Sequence, residues 1–322
     1  MRFLQFLTFG LSAAAAVRQE QRCANPVTRV EWRELDPDVQ QSYLDAVLCL
    51  KSKPSRIGLE TSLYDDFPYV HHKHNQIIHN IAAFLPWHRY FIHAYEAALH
   101  ECGYQGTVPY WDWTLDVLNF AASPVMSSAL GFGYDGSDEQ TETLSTGQTI
   151  RCVTTGPFAT LRPSYISTSP TAMNQEEHCL FRSLVDGDTP SSRVSASYYN
   201  ATYVAIVQSE ETFETYHTML EGGPHGIIHS SIGGEMNPAT SPNEPLFFLH
   251  HAQVDRLWWK WQQESPSDRQ FDYSGQAAHL NATDVRFEAS LDDVLLMGGL
   301  VEDVRVHDVM ATDGRLCYQY AN

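Results

Sequence analysis

The chain has 322 residues, with 20 basic and 39 acidic side chains, so its formal net charge is −19. This charge argues against binding to nucleic acid or to anionic lipid, because both partners need a clustered basic surface. Hydrophobic residues make up 43% and aromatic residues 12% of the chain, which suffices for a large core and excludes a disordered protein.

The first predicted element is a secretory signal peptide over residues 1–16. Arg2 precedes an apolar run that ends in four alanines at residues 13–16. The run is too short to cross a bilayer, and its basic start and small-residue end are typical of a cleaved leader. No later segment is apolar enough for a transmembrane helix. We therefore expect a secreted, extracellular protein whose mature chain covers residues 17–322.

Six cysteines follow the expected cleavage point, and an even number in an exported chain predicts three disulfides. They are Cys23, Cys49, Cys102, Cys152, Cys179 and Cys317. The sequence leaves their pairing open, and the absence of a C-x-x-C motif argues against a thiolate metal site. Two N-glycosylation sequons, at Asn200 and Asn281, are consistent with a eukaryotic secretory route.

A histidine-rich segment follows at residues 71–96 and reads HHKHNQIIHNIAAFLPWHRYFIHAYE. Pro86 suits the first turn of a helix and Gly103 its end, so a helix is predicted over residues 87–102. At about 100° per residue, His88 belongs to the stripe of this helix that faces the core.

A Ser/Thr/Gly-rich stretch separates the patterned segments at about 30–115 and 205–263. A structureless loop of this length is unusual inside a compact domain, so we expect it to carry small elements and to cover one core. No internal repeat or linker divides the chain. A single domain is therefore expected over residues 17–322.

The second patterned segment also contains histidines. His225 and His229 are four residues apart, so on a helix their imidazoles share one face. A further helix is predicted from residue 245 to the Ser-Pro pair at 265–266. Its core-facing stripe includes His251, whereas His250 is turned about 100° away from that stripe.

The pattern changes near the end of the chain. From about residue 285 to residue 306 apolar and polar residues alternate, as at Val301, Val304 and Val306. A period of two is typical of half-buried strands, so short strands are predicted here.

Two groups of three histidines suit a metal that prefers imidazole nitrogen, which on ligand softness means zinc, copper, iron or nickel. The chain has no H-E-x-x-H motif, so the commonest zinc hydrolase signature is missing. A lone histidine on an apolar face is more often a hydrogen-bonded core residue than a ligand. Six histidines at paired helical spacing favour a metal site instead.

Three motifs resemble those of the tyrosinases, which belong to the type 3 copper proteins together with catechol oxidases and haemocyanins. His79, followed by F-L-P-W-H-R and by Glu96, resembles the first copper signature. The run P-L-F-F-L-H-H-A-Q-V-D-R-L-W at residues 245–258 resembles the second. The segment P-Y-W-D-W at residues 109–113 resembles a further motif of the family. These motifs are highly specific and span most of the mature chain.

The resemblance implies a mainly α fold, with a central antiparallel four-helix bundle that holds a dicopper site, long loops and a few short strands. It implies two copper ions per chain and dioxygen as co-substrate. The positions that match the family's copper ligands are His71, His79, His88, His225, His229 and His251. His72 and His74 compete with His71, which is preferred because short fungal members share its eight-residue step to the second ligand.

The resemblance also implies candidates for proton transfer. Tyrosinases that hydroxylate monophenols often have an asparagine directly after the fourth histidine, and with a nearby glutamate it holds a water that takes the phenol proton. This chain has Gly226 there. Glu221 is the first candidate for the acid and Glu214 the second, with a solvated helix-end glutamate as the alternative interpretation. Monophenol hydroxylation therefore stays open.

Some plant catechol oxidases place a phenylalanine over the first copper. The corresponding position here is Pro238, followed by Ala239, so we expect an open entrance in which these residues contact bulky phenols. The tyrosine motif at residues 318–320 resembles the end of the catalytic domain, so no C-terminal lid domain is expected. Arg29 or Arg33 is expected to pack against those tyrosines.

Two acidic residues flank the second signature. Asp255 lies one turn after His251 and could support that ring, although an ion pair with Arg256 or Arg89 explains it equally well. Glu244 stands where the family has an aspartate, which we interpret as a minor change at a helix start.

These inferences predict a copper polyphenol oxidase that converts o-diphenols to o-quinones, with small phenols or catechols as partners. Three alternatives stay open: a biosynthetic oxidase of the same site type acting on an o-aminophenol, a specialised metabolite or a peptide tyrosine; a haemocyanin-like oxygen carrier; and a zinc hydrolase. A carrier must keep phenols out, so the open entrance favours the enzyme. The sequence does not indicate the oligomeric state.

Overall fold

The computed structural model describes residues 23–185, 189–277 and 288–321, so the expected signal peptide and the Asn281 sequon lie outside the described residues. The structure is mainly helical. Its α-helices are α1 (Pro37–Leu50), α2 (Leu63–His74), α3 (Phe84–Glu101), α4 (Pro190–Tyr199), α5 (Ala201–Gln208), α6 (Phe213–Leu220), α7 (Gly226–Ile232), α8 (Leu246–Glu264), α9 (Pro266–Arg269) and α10 (His307–Met310).

The strands are short and pair in twos. They are β1 (Val27–Arg29), β2 (Gly136–Thr143), β3 (Thr149–Val153), β4 (Tyr165–Ser169), β5 (Ala172–Gln175), β6 (Val294–Leu295), β7 (Val304–Arg305) and β8 (Tyr318–Tyr320). The pairs β2–β3, β4–β5 and β6–β7 are antiparallel, whereas β1 pairs in parallel with β8. The Ser/Thr/Gly-rich stretch thus contains two hairpins, β2–β3 and β4–β5, as small elements of its own. Short strands lie near the end of the described chain, as predicted.

The two long histidine-bearing helices agree with the predicted ones to within three residues. Helix α3 begins at Phe84 rather than at residue 87, so Pro86 is the third residue of its first turn. It ends before Gly103, whose φ of +94° is a conformation that glycine adopts without steric cost. Helix α8 begins directly after Pro245 and ends before Ser265.

Aromatic packing joins α2, α3 and α8. Phe67 of α2 contacts Phe91 and Tyr95 of α3 at ring-centroid distances of 5.4 and 5.1 Å, and Phe248 of α8 at 5.7 Å. All four side chains are buried. Burying large side chains is the main stabilising term in such a core, so these contacts fix how the three helices lie against one another. The antiparallel four-helix arrangement itself stays a prediction.

The two ends of the described chain lie together. Strands β1 and β8 pair in register from Val27 with Tyr318 to Arg29 with Tyr320. The guanidinium carbon of Arg29 lies 3.8 Å from the ring centroid of Tyr318, which confirms the predicted contact for Arg29. Arg33 instead pairs with acidic groups.

Asp255 connects these ends to the helical core. Its carboxylate accepts a hydrogen bond from Arg89 at 2.6 Å and from the hydroxyl of Tyr320 at 2.6 Å. Tyr318 also donates to it, and Arg29 lies 3.6 Å away. Of the two interpretations of Asp255, the structure therefore supports the one in which it forms an ion pair with Arg89.

Three disulfides use all six cysteines. They join Cys23 to Cys317, Cys49 to Cys102, and Cys152 to Cys179. The first lies beside the β1–β8 pair, and the second connects the end of α1 to the end of α3. Each bond therefore links segments that are distant in sequence.

Glu244 has a larger role than its position at a helix start indicates. Both its oxygens accept hydrogen bonds from Arg182 at 2.7 Å, and both side chains are fully buried. Arg182 also donates to the carbonyls of Phe132 and Gly133. The pair thus ties the start of α8 to the loop that precedes β2.

No helix in the described part of the chain has the length and apolar character that a membrane span requires.

Candidate metal centre

Three histidines from separate segments form the first group. His71 lies on α2, His79 follows the short turn after that helix, and His88 lies on α3. Their ring centroids are 4.9 to 5.4 Å apart, and the Nε2 atoms of His71 and His88 are 3.3 Å apart. One nitrogen of each ring lies within 4.8 Å of the others, which is the spacing that a shared metal ion requires.

Backbone carbonyls orient these rings. The Nδ1 of His71 is 2.7 Å from the carbonyl of Ala239, and that of His88 is 2.8 Å from the carbonyl of Phe84. His79 makes the same contact with Asn75 at 3.2 Å. Because a carbonyl only accepts, each Nδ1 carries the proton and donates it. The Nε2 lone pairs are therefore left to bind a metal, which is how metal-binding histidines are usually held.

The structure separates His71 from its two competitors. The Nε2 of His72 lies 3.1 Å from the carbonyls of Ser169 and Ala172, in the β4–β5 hairpin. The Nδ1 of His74 bonds to the carbonyl of Val70, within the same helix. Neither ring belongs to the first group.

The second group has a similar construction. An irregular turn over Glu221–His225, which contains Pro224, leads into α7 and places His225 and His229 side by side, with ring centroids 4.5 Å apart. Their Nδ1 atoms donate to the carbonyls of Glu221 and Met236 at 3.0 and 2.5 Å. The Nε2 of His251, from α8, is 3.3 Å from the Nε2 of His229.

His250 also joins this group, which the helix-face argument does not anticipate. Its ring is fully buried and stacks on His225 at 5.4 Å with an angle of 19°. Neither of its nitrogens has a hydrogen-bond partner in the described residues. His251 differs because its ring stacks on His88 of the first group, at 4.4 Å and 14°. His251 therefore lies between the two groups, and His250 lies behind His225.

Burial keeps these imidazoles neutral. Loss of solvent lowers the pKa of His71, His88, His225 and His251 well below the usual range, and lowers the pKa of His229 to about 4. A neutral imidazole is the form that binds a metal. The Nε2 of His225 is buried and has no hydrogen-bond partner within the described ranges. A metal ion would satisfy that lone pair, so the donors fit an imidazole-bound metal pair.

Glu221 is buried next to the first group. Its Oε1 accepts a hydrogen bond of 2.7 Å from the backbone N–H of Asn80, the residue after His79. Burial raises the pKa of Glu221 to about 8. Gly226 lines the same cavity, whereas Glu214 is exposed and does not line it. The structure thus brings Glu221 to the site and leaves Glu214 outside.

An open cavity of about 790 Å³ reaches both histidine groups. Its wall includes Glu221, Gly226, Pro238 and Ala239, which the sequence singles out, and also Asn80, which it does not. Asn80 and Cys317 are the two non-glycine residues with a positive φ in the described part of the chain. Only the three-dimensional contact with Glu221 draws attention to Asn80.

The helical fold and the paired imidazole groups define a type 3 copper protein, in which a pair of copper ions binds dioxygen. Residues 61–264 match the family profile described as the common central domain of tyrosinase. The chain belongs to the tyrosinase family.

Several fungal proteins are similar to this chain. The chain is 41% identical to the tyrosinase-like protein phomQ2 of Diaporthe leptostromiformis, over 93% of this chain and 74% of that protein. It is 33% identical to the N-acetyl-6-hydroxytryptophan oxidase ivoB of Emericella nidulans, over 98% of each. A mutant polyphenol oxidase from Thermothelomyces thermophila has a similar structure, with a TM-score of 0.79, 31% identity, and coverage of 94% of this chain and 91% of that one.

Proposed function

We propose that the first copper is held by His71, His79 and His88. The second copper is held by His225, His229 and His251. The main support is the orientation of the rings, since five of the six donate Nδ1–H to a backbone carbonyl. The Nε2 atoms of His71 and His88 are 3.3 Å apart, as are those of His229 and His251, so the two rings of each pair would be close enough to hold one ion.

The activity that we propose is the oxidation of o-diphenols to o-quinones. Two diphenols lose four electrons and four protons, and one dioxygen takes them up to form two waters. The chemistry that the copper pair supplies is the transfer of these electrons. The observation that carries the proposal is the open cavity of about 790 Å³ that leads from solvent to both groups, because an oxygen carrier needs no such access for phenols.

Residues of the cavity bind and deprotonate the phenol in this proposal. Pro238 and Ala239 form a small-residue wall against which the phenol ring rests. Glu221 accepts the phenol proton through a water. Positive charge from bound copper would favour the ionised form of Glu221 and would offset the effect of burial on its pKa.

A specialised phenolic metabolite is the second candidate substrate. The ivoB protein, which aligns with this chain over 98% of each sequence, is named for oxidation of N-acetyl-6-hydroxytryptophan. This hydroxyindole is larger than catechol. A cavity of about 790 Å³ has room for a substrate of that size. Catechol and a bulky hydroxyaromatic amino acid should therefore be compared directly.

We further propose that the protein is secreted after removal of residues 1–16 and that residues 17–322 form one copper domain. The three disulfides support this, because such bonds persist in oxidising compartments. The Asn200 sequon lies between α4 and α5 and is partly exposed, as a glycan acceptor must be.

The test combines metal analysis with turnover. Purified protein loaded with copper should bind two ions per chain and form quinone from catechol with uptake of dioxygen. His229→Ala should bind one copper, whereas the control His100→Ala, on the exposed face of α3, should bind two. Reversible dioxygen binding without quinone formation would contradict the oxidase assignment, and two coppers in His229→Ala would contradict the ligand assignment.

A further inference from the structure

The segment over residues 233–239 supports one histidine of each group. The carbonyl of Met236 accepts the Nδ1–H of His229 at 2.5 Å. The carbonyl of Ala239 accepts the Nδ1–H of His71 at 2.7 Å. The last three residues of the segment also line the cavity that reaches the histidines. The path of this segment therefore sets the orientation of a ring in both groups, and contacts that fix the segment act on the whole site.

A buried carboxylate lies inside this segment. Glu235 is fully buried, and one of its oxygens contacts the Nε2 of His178, which is also buried. Its other oxygen accepts a hydrogen bond of 3.0 Å from the side-chain amide of Asn243. The Nδ1 of His178 donates to the carbonyl of Glu176 at 2.7 Å, so this ring is held on both sides. Because a buried carboxylate is costly unless it is paired and hydrogen-bonded, these contacts fix where Glu235 lies.

The backbone of the segment is held at the same place. The N–H of Glu235 donates to the carbonyl of Phe181 at 3.1 Å. Gly234 has a φ of +53°, and a Cβ there would lie 2.2 Å from the same carbonyl oxygen. Only glycine allows so close an approach. The segment thus lies directly against residues 178–181, which a disulfide joins to β3.

Glu235 and His178 act on the site from outside it. Neither residue belongs to a histidine group or lines the cavity. Met236 directly follows Glu235, and Ala239 lies three residues further along. We propose that Glu235 and His178 form a positioning pair, which fixes the two carbonyls against their imidazoles and thereby sets the copper affinity of both groups. This inference rests on the proposed function, because it assumes that the six histidines bind copper.

The first test is Glu235→Ala, which leaves His178 and Asn243 without their carboxylate and releases the segment. We expect the copper affinity, measured by competition with a chelator, to fall by about tenfold or more, because groups that orient metal ligands contribute that much.

The matched control is Asp116→Ala. Asp116 is also buried and accepts hydrogen bonds from Trp111 and Ser123 at 2.8 and 2.7 Å. None of its contacts within the described ranges reaches residues 233–239. Both alanine variants should be less stable than the wild type. The copper affinity of the control should nevertheless stay within about twofold, since sites without shared partners act independently.

A second variant keeps the pair but removes its charge. In Glu235→Gln the amide nitrogen can donate to the Nε2 of neutral His178, while the amide oxygen accepts from Asn243. The copper affinity should therefore stay within about twofold of the wild-type value. Glu235→Asp keeps the charge but withdraws the carboxylate by one methylene, so its copper affinity should lie between those of Glu235→Gln and Glu235→Ala. A role of the negative charge alone predicts the opposite order for the glutamine and aspartate variants.

Crystal structures of the copper-free proteins provide a readout that depends on neither metal nor turnover. The Met236 carbonyl should leave hydrogen-bond distance of the His229 Nδ1 in Glu235→Ala and should keep it in Glu235→Gln and in Asp116→Ala. An unchanged contact or unchanged copper affinity in Glu235→Ala would overturn the inference, as would an equal loss of affinity in Asp116→Ala. If Glu235→Ala does not fold, unchanged copper affinity in Glu235→Asp would overturn it. A wild type that binds fewer than two coppers would instead refute the proposed function.

Discussion

Replacing Asp255 by alanine should lower the free energy of unfolding by about 5 kcal/mol. Asp255, Arg89 and Arg29 are all buried, with side-chain exposures of 3%, 0% and 0%. Arg29 keeps its ion pair with Glu96, so only one guanidinium loses its carboxylate. Breaking one buried pair costs about 3–5 kcal/mol, because the remaining charge is left uncompensated.

Two further losses place the value at the upper end of that range. The hydroxyls of Tyr318 and Tyr320 both donate to Asp255, and each lost hydrogen bond adds about 1 kcal/mol. Arg89 retains carbonyl acceptors, which hydrogen-bond to the guanidinium but do not neutralise it. The variant Asp255→Asn keeps an acceptor oxygen and should lose less than Asp255→Ala.

The free energies of unfolding of the wild type and the Asp255 variants can be compared by equilibrium unfolding in guanidinium chloride, followed by tryptophan fluorescence with the disulfides intact. The matched control is Asp292→Ala. Asp292 pairs with Arg305 at 3.1 Å, but their side chains are 81% and 64% exposed. This variant should lose less than about 1 kcal/mol. If Asp255→Ala also lost less than about 1 kcal/mol, the claim that the buried ion pair holds the chain ends on the core would be refuted.

Three more outcomes follow from buried groups. Burial lowers the pKa of His217 from 6.5 to about 4, so protonation favours the unfolded chain, and stability is lost as pH falls through this range. Between pH 6.5 and pH 4, the free energy of unfolding of the copper-free wild type should fall by up to about 3 kcal/mol more than that of His217→Gln. If the free energies of unfolding of the two proteins showed the same dependence on pH, this prediction would be contradicted. His251→Ala should bind one copper and His250→Ala two, as measured by metal analysis, and the reverse result would make His250 the sixth ligand. Removing the bond between Cys49 and Cys102, which are 53 residues apart, should lower the free energy of unfolding by about 4 kcal/mol in guanidinium chloride, and a loss under about 1 kcal/mol would be inconsistent with a loop-closure effect.

The sequence predicts the parts of the fold that local periodicity determines. Helices α3 and α8 follow from their apolar stripes and from the proline and glycine at their ends. The start of α3 at Phe84 is missed because tertiary packing extends the helix beyond the last local signal. Strands β1 and β8 each have three residues, and their pairing depends on a contact across the whole chain, which no local pattern encodes.

The histidine site is predictable where spacing restricts the choice. Among His71, His72 and His74, spacing alone does not decide, because all three lie on one helix end. The contacts of His72 with the β4–β5 hairpin separate it from the site, and that hairpin is about 100 residues away. The full burial of His250 is not predicted from the sequence for a related reason. A helix-face argument assumes one buried stripe, whereas α8 is buried on almost all sides.

Asn80 and the disulfide pairing illustrate a second limit. A single asparagine carries no signal of a positive φ, and its partner Glu221 is 141 residues away. The sequence leaves the disulfide pairing open, and the bond between Cys23 and Cys317 joins residues 294 positions apart. Both features depend on the assembled fold, which local sequence does not describe.

The parallel pairing of β1 with β8 has a consequence for the order of folding during synthesis. Val27 emerges from the ribosome early, but its partner Tyr318 is made almost 300 residues later. His71, His79 and His88 likewise wait for α7 and α8 before the second half of the site exists. Contacts of such long sequence separation form slowly and leave apolar surface exposed in the meantime. The nascent chain should therefore depend on chaperones until residues 318–320 have been synthesised.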